Sequence, residues 1–190
     1  PKDLEGKKVG VRAYTVTTGV WARGILATEY GVDLSKVTWV LADEEHVEEY
    51  HKDYPANVVY QAGANLGAMV ASGELAAAIG AGRVDSPDVK PLIPNAREAE
   101  AAWYGKTGLY PINHTVVVKD SLLQADPSLA PRLFDAFKEA KAVFLKQLST
   151  GTELSGEDQA LAQRRSLVGD DPLPYGMARN RKAMEAVIQF

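Results

Sequence analysis

The chain has 190 residues, which is long enough for one sizeable hydrophobic core or two small ones. Hydrophobic residues make up 46% of it, and the net charge of −4 comes from acidic and basic residues interspersed throughout. This composition is typical of a globular protein and argues against a nucleic-acid-binding surface, which needs clustered basic residues. The absence of cysteine excludes disulfides, thiol nucleophiles and thiolate metal sites. No apolar stretch is long enough to span a bilayer. No leader peptide is visible, and because the chain begins at Pro1 we expect a fragment or a processed product.

The first half of the chain alternates predicted strands with predicted helices. A helix is expected to begin with Thr17 or Thr18 as its N-cap, to run to about Tyr30 and to end at Gly31. A second, shorter helix is expected over residues 64–72. The strands, which are short and rich in apolar residues, are expected within residues 4–12, 37–41, 58–60 and 75–79. This alternation predicts a parallel sheet joined by right-handed crossovers.

The second half of the chain has a mostly helical pattern. Three prolines make residues 86–94 a predicted loop, and a helix is expected over residues 96–106. Consecutive valines predict a strand over residues 116–118. Further helices are expected from Asp126 or Ser128 to about residue 148, then to about 167, and from about 178 to 188. Residues 5–112 are therefore predicted to form a complete α/β lobe, and residues 113–190 a mostly helical, incomplete part of another lobe.

One apolar face of the predicted helix over residues 126–148 has no obvious partner. Leu133, Phe137 and Phe144 lie on this face at helical spacing. A helical half-lobe by itself would leave such a face uncovered. We expect either a segment preceding Pro1 or another copy of the chain to cover it.

The turn between the first strand and the first helix is the main candidate binding site. Ligands of open parallel sheets bind beyond the carboxyl ends of the strands, and the free N–H groups of a helix start suit a carboxylate. An arginine can hold that carboxylate with two parallel hydrogen bonds, and hydroxyl groups add further donors. The residues with these properties are Arg12, Tyr14, Thr15, Thr17 and Thr18. The alternative is an ordinary N-cap beside a solvent-exposed arginine.

Aromatic and glycine residues extend this candidate site. Trp21, one turn into the helix, and Tyr14 can each stack on an aromatic ligand, although packing in the core explains either residue equally well. Gly80 follows the fourth predicted strand and allows the backbone to approach a ligand closely. The alternative for Gly80 is a plain turn.

Two histidines are the candidate proton donors. His46 follows the strand over residues 37–41, beside Glu44 and Glu45, and a carboxylate next to an imidazole can transfer protons. The default interpretation of that segment is a solvated acidic stretch. His114 can act as an acid near neutral pH, or it can be a buried histidine bonded to backbone. His46 and His51 are five residues apart, which is poor spacing for one helical face, so no metal site is expected.

Several stretches carry a resemblance to a known family. They are GVRAYTVTTGVW (residues 10–21), YGVDL (30–34), EAEAAWY (98–104), TGLYPINHTVVV (107–118) and GDDPLPYG (169–176). They follow one another in order along nearly the whole length of the chain, and they resemble the 4,5-dihydroxyphthalate decarboxylase family. That family is itself similar to the type II substrate-binding proteins of ABC importers for nitrate, sulfonates and thiamine precursors. Its members are longer, which implies that part of one lobe precedes Pro1.

The resemblance implies an α/β protein of the type II periplasmic-binding-protein kind, with one complete lobe of parallel or mixed sheet and a helical part of the second lobe. It implies the non-oxidative decarboxylation of a hydroxylated aromatic acid, bound in a cleft between the lobes. The reaction requires no cofactor in principle. The alternative is the solute-binding component of an ABC importer, which captures an organic anion of the carboxylate or sulfonate type without chemistry.

Chemistry, rather than the resemblance, suggests the roles of individual residues. Arg12 and the helix start would anchor one carboxylate, Tyr14 and Trp21 would flank the ring, and His114 or His46 would donate the proton. The expected partner is a small organic anion, with neither nucleic acid nor membrane insertion. An enzyme of this kind is expected in the cytoplasm and a transport component in the periplasm, and we favour the enzyme.

Overall fold

The structure is a computed structural model that describes residues 1–151 and 154–190, except for the side chains of Glu48, His51 and Lys52. Its strands are β1 (Lys8–Val11), β2 (Thr38–Leu41), β3 (Val58–Tyr60) and β4 (Ala77–Ile79). Its α-helices are α1 (Thr17–Thr28), α2 (Leu66–Ala71), α3 (Ala96–Thr107), α4 (Asp120–Ala125), α5 (Leu129–Thr150), α6 (Gly156–Val168) and α7 (Met177–Gln189). Short 3-10 helices lie at Lys2–Leu4, Leu34–Lys36 and Glu48–Asp53.

The chain divides into two compact units. The first contains residues 1–113 together with 182–190, and the second contains residues 114–181. The C-terminal part of α7 thus belongs to the first unit, whereas the sequence pattern grouped all of residues 113–190 together. None of the helices in the described residues is long and apolar enough to cross a membrane.

The first unit is built on a parallel sheet with the strand order β3-β2-β1-β4. The prediction of an α/β fold with a parallel sheet is therefore confirmed. The strands are short runs of apolar residues because both faces of the sheet are covered, as is usual for parallel sheets. Val9, Val11 and Trp39 are almost fully buried.

The two faces of the sheet carry separate hydrophobic clusters. On one face Val11, Trp39 and Leu41 pack with Leu26 of α1. On the other face Val40 packs with Leu66 and Met69 of α2. A side chain at Gly10 would place its Cβ 2.8 Å from the Leu66 and Leu75 methyl carbons, so glycine at this position allows α2 to pack closely. The first unit is therefore a three-layer arrangement with α1 and α2 on opposite faces.

A third cluster joins α1 to the C-terminal part of α7. Trp21 is buried together with Ala183 and Ala186, and the ring of Phe190 packs edge-on against the Trp21 ring at a centroid distance of 5.5 Å. A Cβ at Gly24 would lie 2.0 Å from the Phe190 ring. Gly24 is thus the position that admits this ring against α1.

The second unit consists of helices and connecting segments, and its turn over residues 169–176 is held by charged side chains. Lys141 of α5 donates to Asp171 at 2.9 Å and to the Leu173 carbonyl at 2.9 Å. Arg179 of α7 donates to the same Asp171 carboxylate at 2.6 Å. Burial alone would raise the pKa of Asp171, but the bonds from Lys141 and Arg179 and from the Leu173 amide lower it overall. The turn therefore links α5 to α7.

One prediction for the second unit is wrong and another is confirmed. Residues 116–118 form no strand, and Val116 and Val117 are 70% and 86% exposed. β-Branched residues favour a strand only where a neighbouring strand can pair with them, and the second unit has none among its described residues. The helix expected from Asp126 or Ser128 is confirmed as α5, with Ser128 at its N-cap position, although the Ser128 side chain makes no capping bond; α4, which was not predicted, precedes it.

The apolar face of α5 is only partly covered in the single chain. Phe134 and Phe137 are 43% and 44% exposed, and Val143 is 71% exposed. Leu133 and Phe144 are partly buried. That a further segment or a second copy covers this face stays a prediction.

Candidate functional site

The carboxyl ends of the strands form one level edge of the sheet. Val11 at the end of β1 pairs with Leu41 of β2 and with Ile79 of β4, and Leu41 pairs with Tyr60 of β3. The connection through α1 leads from β1 to one side, and the connection through α2 leads to β4 on the other side. Successive strands are therefore added on one side of β1 (β2 and β3) and then on its other side (β4). The switch point between β1 and β4 is the position where open α/β sheets form a ligand crevice.

The residues that follow β1 and β4 flank this switch point. The β1–α1 turn, residues 12–16, follows β1, and Gly80 follows β4. Gly80 has a φ of +73°, a left-handed backbone conformation that favours glycine, and no described atom lies within 4 Å of where its Cβ would be. The backbone at Gly80 is thus open to an approaching ligand.

The start of α1 has free backbone donors. The first hydrogen bond at this end runs from the Val20 amide to the Val16 carbonyl at 3.0 Å, so the N–H groups of Thr17, Thr18 and Gly19 have no acceptor within the helix. Val16 is the N-cap, and no described side chain caps it. The prediction that Thr17 or Thr18 is the N-cap is wrong, because the chain is already helical at Thr17. Thr18 is exposed and Thr17 half-buried, so this positive end of the helix is accessible to an anion.

Glu45 is buried beneath the β1–α1 turn. Its carboxylate accepts hydrogen bonds from the Tyr14 amide at 2.5 Å, from the Thr15 amide at 2.9 Å and from the Tyr54 hydroxyl at 2.9 Å. It also accepts one from the Thr15 hydroxyl. The interpretation of this acidic stretch as solvated is wrong for Glu45, whose residue is only 4% exposed. Burial alone would raise the pKa of Glu45, but the bonds from Thr15, Tyr14 and Tyr54 outweigh it and lower the pKa overall.

Arg23 of α1 approaches the same turn from the helix. It is 4% exposed, and its Nη2 donates to the Tyr14 carbonyl at 2.6 Å. Its guanidinium carbon lies 3.9 Å from the centre of the Tyr14 ring, within the range of a cation–π contact. Among the described residues Nη1 has no hydrogen-bond partner. Burial lowers the pKa of Arg23, and the nearby Tyr14, Tyr50 and Glu45 oppose this effect.

The remaining ligand-binding candidates differ in how accessible they are. The side chain of Arg12 is 53% exposed, and its Nε lies 3.6 Å from the Asp43 carboxylate. Tyr14 is half-buried and stacks on Tyr50 at a centroid distance of 6.3 Å. Trp21 is 5% exposed, and its indole nitrogen donates to the Ile112 carbonyl at 3.0 Å. The side chains of Arg12 and Tyr14 are therefore accessible to a ligand, whereas the Trp21 side chain packs in the core.

The two candidate proton donors are both exposed. His46 follows Glu45 in the first unit, and His114 begins the second unit. The alternative interpretation of His114 as a buried histidine is therefore wrong. The His51 side chain lies outside the described part of the structure. Among the described residues no group of three or more His, Cys, Asp or Glu side chains is placed to hold a metal ion.

Two known proteins are similar to this chain in sequence. No protein-family model matches it. It is 34% identical over 201 aligned residues to a 4,5-dihydroxyphthalate decarboxylase of Comamonas testosteroni, in an alignment that covers 97% of the chain. It is 36% identical over 114 residues to a 4,5-dihydroxyphthalate decarboxylase of Pseudomonas putida, which covers 54% of the chain. The resemblance to 4,5-dihydroxyphthalate decarboxylase is confirmed.

The decarboxylase relatives are longer than this chain. The alignments span 61% of the Comamonas decarboxylase and 44% of the Pseudomonas decarboxylase. The similarity thus extends along nearly all of this chain but over only part of each decarboxylase.

Sequence reasoning missed Arg23, and it considered Glu45 only as a partner of His46 in proton transfer and not as a buried residue of the β1–α1 turn. Arg23 lies three residues after Val20 and three before Leu26, so it interrupts the apolar face of α1 at helical spacing. That interruption is a signal for a buried arginine. Glu45 carries no comparable signal, because its partners Tyr14 and Thr15 are about 30 residues away in sequence. Both residues lie outside the stretches that carry the resemblance to the decarboxylases.

Proposed function

We propose that this chain is the ligand-binding part of a protein that removes one carboxylate from a dihydroxylated aromatic dicarboxylate without oxidation. The observation that carries this proposal is the 34% identity to the Comamonas 4,5-dihydroxyphthalate decarboxylase along 97% of the chain. The parallel sheet with its switch point between β1 and β4 supports it. The architecture of type II periplasmic binding proteins is part of the same proposal.

The carboxylate that stays on the substrate would bind at the start of α1. The amides of Thr17, Thr18 and Gly19 lack acceptors within the helix and lie at its positive end. Arg12 is exposed enough to turn from Asp43 to a substrate carboxylate, since a half-exposed ion pair contributes little. The open backbone at Gly80 gives the ring room on the other side of the switch point.

The proposed chemistry uses the substrate's own hydroxyl groups. In 4,5-dihydroxyphthalate each hydroxyl is para to one carboxylate. Loss of the phenolic proton makes the ring carbon that bears the carboxylate basic, an acid protonates that carbon, and the C–C bond then breaks to release CO₂ and restore the aromatic ring. The overall change is one proton taken up by the ring and one CO₂ lost, so it needs no oxidant or reductant.

The protein would orient the ring and supply the proton. Tyr14, half-buried beside the turn, would flank the ring. Trp21 would act from within the core by supporting α1, because its ring packs on Phe190. Thr15 donates its hydroxyl proton to Glu45, so its oxygen would accept rather than donate toward a substrate hydroxyl. His114 and His46, both exposed, are the two proton donors to be distinguished.

Release of CO₂ from the full-length protein tests this proposal. We expect 4,5-dihydroxyphthalate to yield CO₂ and 3,4-dihydroxybenzoate, and we expect no CO₂ from phthalate, which has no hydroxyl para to a carboxylate. His114→Asn and His46→Asn identify the donor, since loss of a general acid lowers kcat by about 100-fold or more. Binding of both compounds without any CO₂ would contradict the proposal and favour a solute-binding protein.

A further inference from the structure

The β1–α1 turn already holds an anion that belongs to the protein. The Glu45 carboxylate takes both amides at the head of the turn, those of Tyr14 and Thr15, and also the Thr15 hydroxyl. Because Glu45 is 4% exposed and ionised, a second carboxylate cannot share these donors without strong repulsion. The donors that remain for a ligand are therefore the backbone amides that follow the turn, those of Thr17, Thr18 and Gly19.

The backbone carbonyl of Tyr14, in the same β1–α1 turn, is also held by a hydrogen bond. Arg23 donates to the Tyr14 carbonyl at 2.6 Å and covers the face of the Tyr14 ring. Its unpartnered Nη1 would lie 3.3 Å from a Cβ at Gly19, so this nitrogen is next to the first turn of α1. The Arg23 charge thus lies close to the donors that remain for a ligand, and no described acceptor neutralises Nη1.

We infer that Glu45 and Arg23 are positioning residues for the anion site at the start of α1, with Glu45 holding the turn by its amides and Arg23 holding it by the Tyr14 carbonyl. This inference rests on the proposed function. Neither residue touches the substrate. Glu45 excludes the anion from the head of the turn, and Arg23 makes the start of α1 the more positive position.

This arrangement predicts a specific kind of damage when it is broken. In Glu45→Gln the peptide at Tyr14 and Thr15 loses the charge and one of its two acceptor oxygens, and the donors of the α1 start lose their fixed direction. A substrate anchored by these donors is then held less well both before and during the reaction. Loss of such uniform binding raises KM and leaves kcat nearly unchanged, whereas general loss of folded protein lowers kcat and leaves KM unchanged.

Glu45→Gln and Thr15→Val in the full-length protein test the inference. Glu45→Gln removes the charge that the turn holds, and Thr15→Val removes one donor to it while Glu45 stays. Phthalate is the probe for binding, because it has the carboxylates but lacks the hydroxyls. We expect the Kd for phthalate and the KM for 4,5-dihydroxyphthalate to rise about tenfold or more in Glu45→Gln, as for loss of a charged hydrogen-bond partner. We expect kcat to stay within about twofold.

Matched controls separate positioning from general destabilisation. Glu5→Gln removes another carboxylate that accepts a backbone amide, that of Asp33 at 3.0 Å, at the opposite end of the sheet. Thr28→Val removes a threonine hydroxyl that donates to the Gly24 carbonyl in the last turn of α1. Both controls are expected to keep the wild-type Kd and KM. Thr15→Ser keeps the hydroxyl and is expected to restore what Thr15→Val loses.

The outcomes distinguish this inference from the proposed function. Wild-type Kd and KM in Thr15→Val and in folded Glu45→Gln would overturn the positioning role while leaving the decarboxylase proposal intact. If Glu45→Gln does not fold, Thr15→Val and Thr15→Ser decide the question. A full-length wild-type protein that neither binds phthalate nor releases CO₂ would overturn both proposals.

Discussion

Glu45 shows how a buried carboxylate stays ionised. It is surrounded by donors rather than by a single counter-charge: the amides of Tyr14 and Thr15 and the hydroxyls of Thr15 and Tyr54. Hydrogen bonds to the charged form favour that form and offset the cost of burial. The bond to Glu45 contributes, after burial, to raising the pKa of Tyr54, so this hydroxyl remains a donor over the ordinary pH range.

The lowered pKa of Glu45 predicts that its contribution to stability depends on pH. Folding lowers the pKa of the Glu45 carboxylate below its ordinary value of 4.5. The stabilisation by the ionised carboxylate is therefore complete above pH 4.5 and is lost as the pH falls through the folded pKa. At neutral pH Glu45→Gln is expected to lower the free energy of unfolding by about 1.5–3 kcal/mol, as for loss of a hydrogen-bonded charge.

Urea unfolding of wild type and Glu45→Gln between neutral and acidic pH measures this effect. The difference between the two proteins is expected to shrink as the pH falls through the acidic range. A difference that stays constant with pH would mean that folding leaves the pKa of Glu45 unchanged.

At the level of elements, α1 shows how a glycine in a helix can be required. Glycine in a helix interior usually costs about 1 kcal/mol relative to alanine. Gly24 nevertheless lies where the ring of Phe190 touches the helix, and a Cβ there would be 2.0 Å from that ring. The weak helix propensity at this position therefore serves the contact between α1 and α7.

Gly24→Ala is accordingly expected to destabilise the protein, by about 1–3 kcal/mol for overpacking. Gly105→Ala in α3 is the matched control, because no described atom lies within 4 Å of its Cβ position. This control is expected to stabilise by up to about 1 kcal/mol. Thermal unfolding measures both variants, and adding Phe190→Gly to Gly24→Ala should remove the clash, since the Phe190 Cβ is itself 2.7 Å from the Gly24 Cβ position. If Gly24→Ala stabilised the protein as Gly105→Ala does, the Phe190 ring would not pack against α1 at Gly24.

The elements that could be predicted from sequence are those whose pattern is local. The strands β1 and β2 and the helix α1 follow from runs of apolar residues and from the glycine that ends α1, so their positions were predicted within a few residues. The valines at 116–118 failed because a strand also needs a partner. Arg12, Tyr14, Thr15, Thr17 and Thr18 could be proposed as binding residues because they are neighbours in sequence, and they remain a prediction. The place of Glu45 and Arg23 at that turn was missed because only the folded chain brings them there.

At the scale of the whole molecule, each unit has its own stabilising centre. The first depends on the sheet with its buried valines, tryptophan and leucines. The second contains a polar centre in which Asp171 is joined to Lys141 and Arg179. The side chains of Lys141 and Asp171 are only 11% and 20% exposed, so their interaction is screened less than that of a surface pair.

Asp171→Asn is expected to destabilise the second unit by about 2 kcal/mol, since it leaves Lys141 without its charged partner. Hydrogen exchange followed by residue is the measurement, and we expect the loss of protection within residues 114–181. Asp135→Asn is the control, because Asp135 and its partner Lys138 are 65% and 57% exposed and such a pair contributes little. Equal loss of protection in both variants would contradict a central role for Asp171.

The level carboxyl edge of the sheet restricts where this chain can change its length. Each strand has only three or four residues, and the ends of β1, β2 and β4 are in register. One residue inserted in β1 would move Arg12 by ~3.3 Å and turn every following side chain of the strand to the opposite face. Insertions and deletions are therefore tolerated best in exposed parts of the connections at the amino ends of the strands. Remodelling of this scaffold can begin there while the carboxyl edge of the sheet keeps its shape.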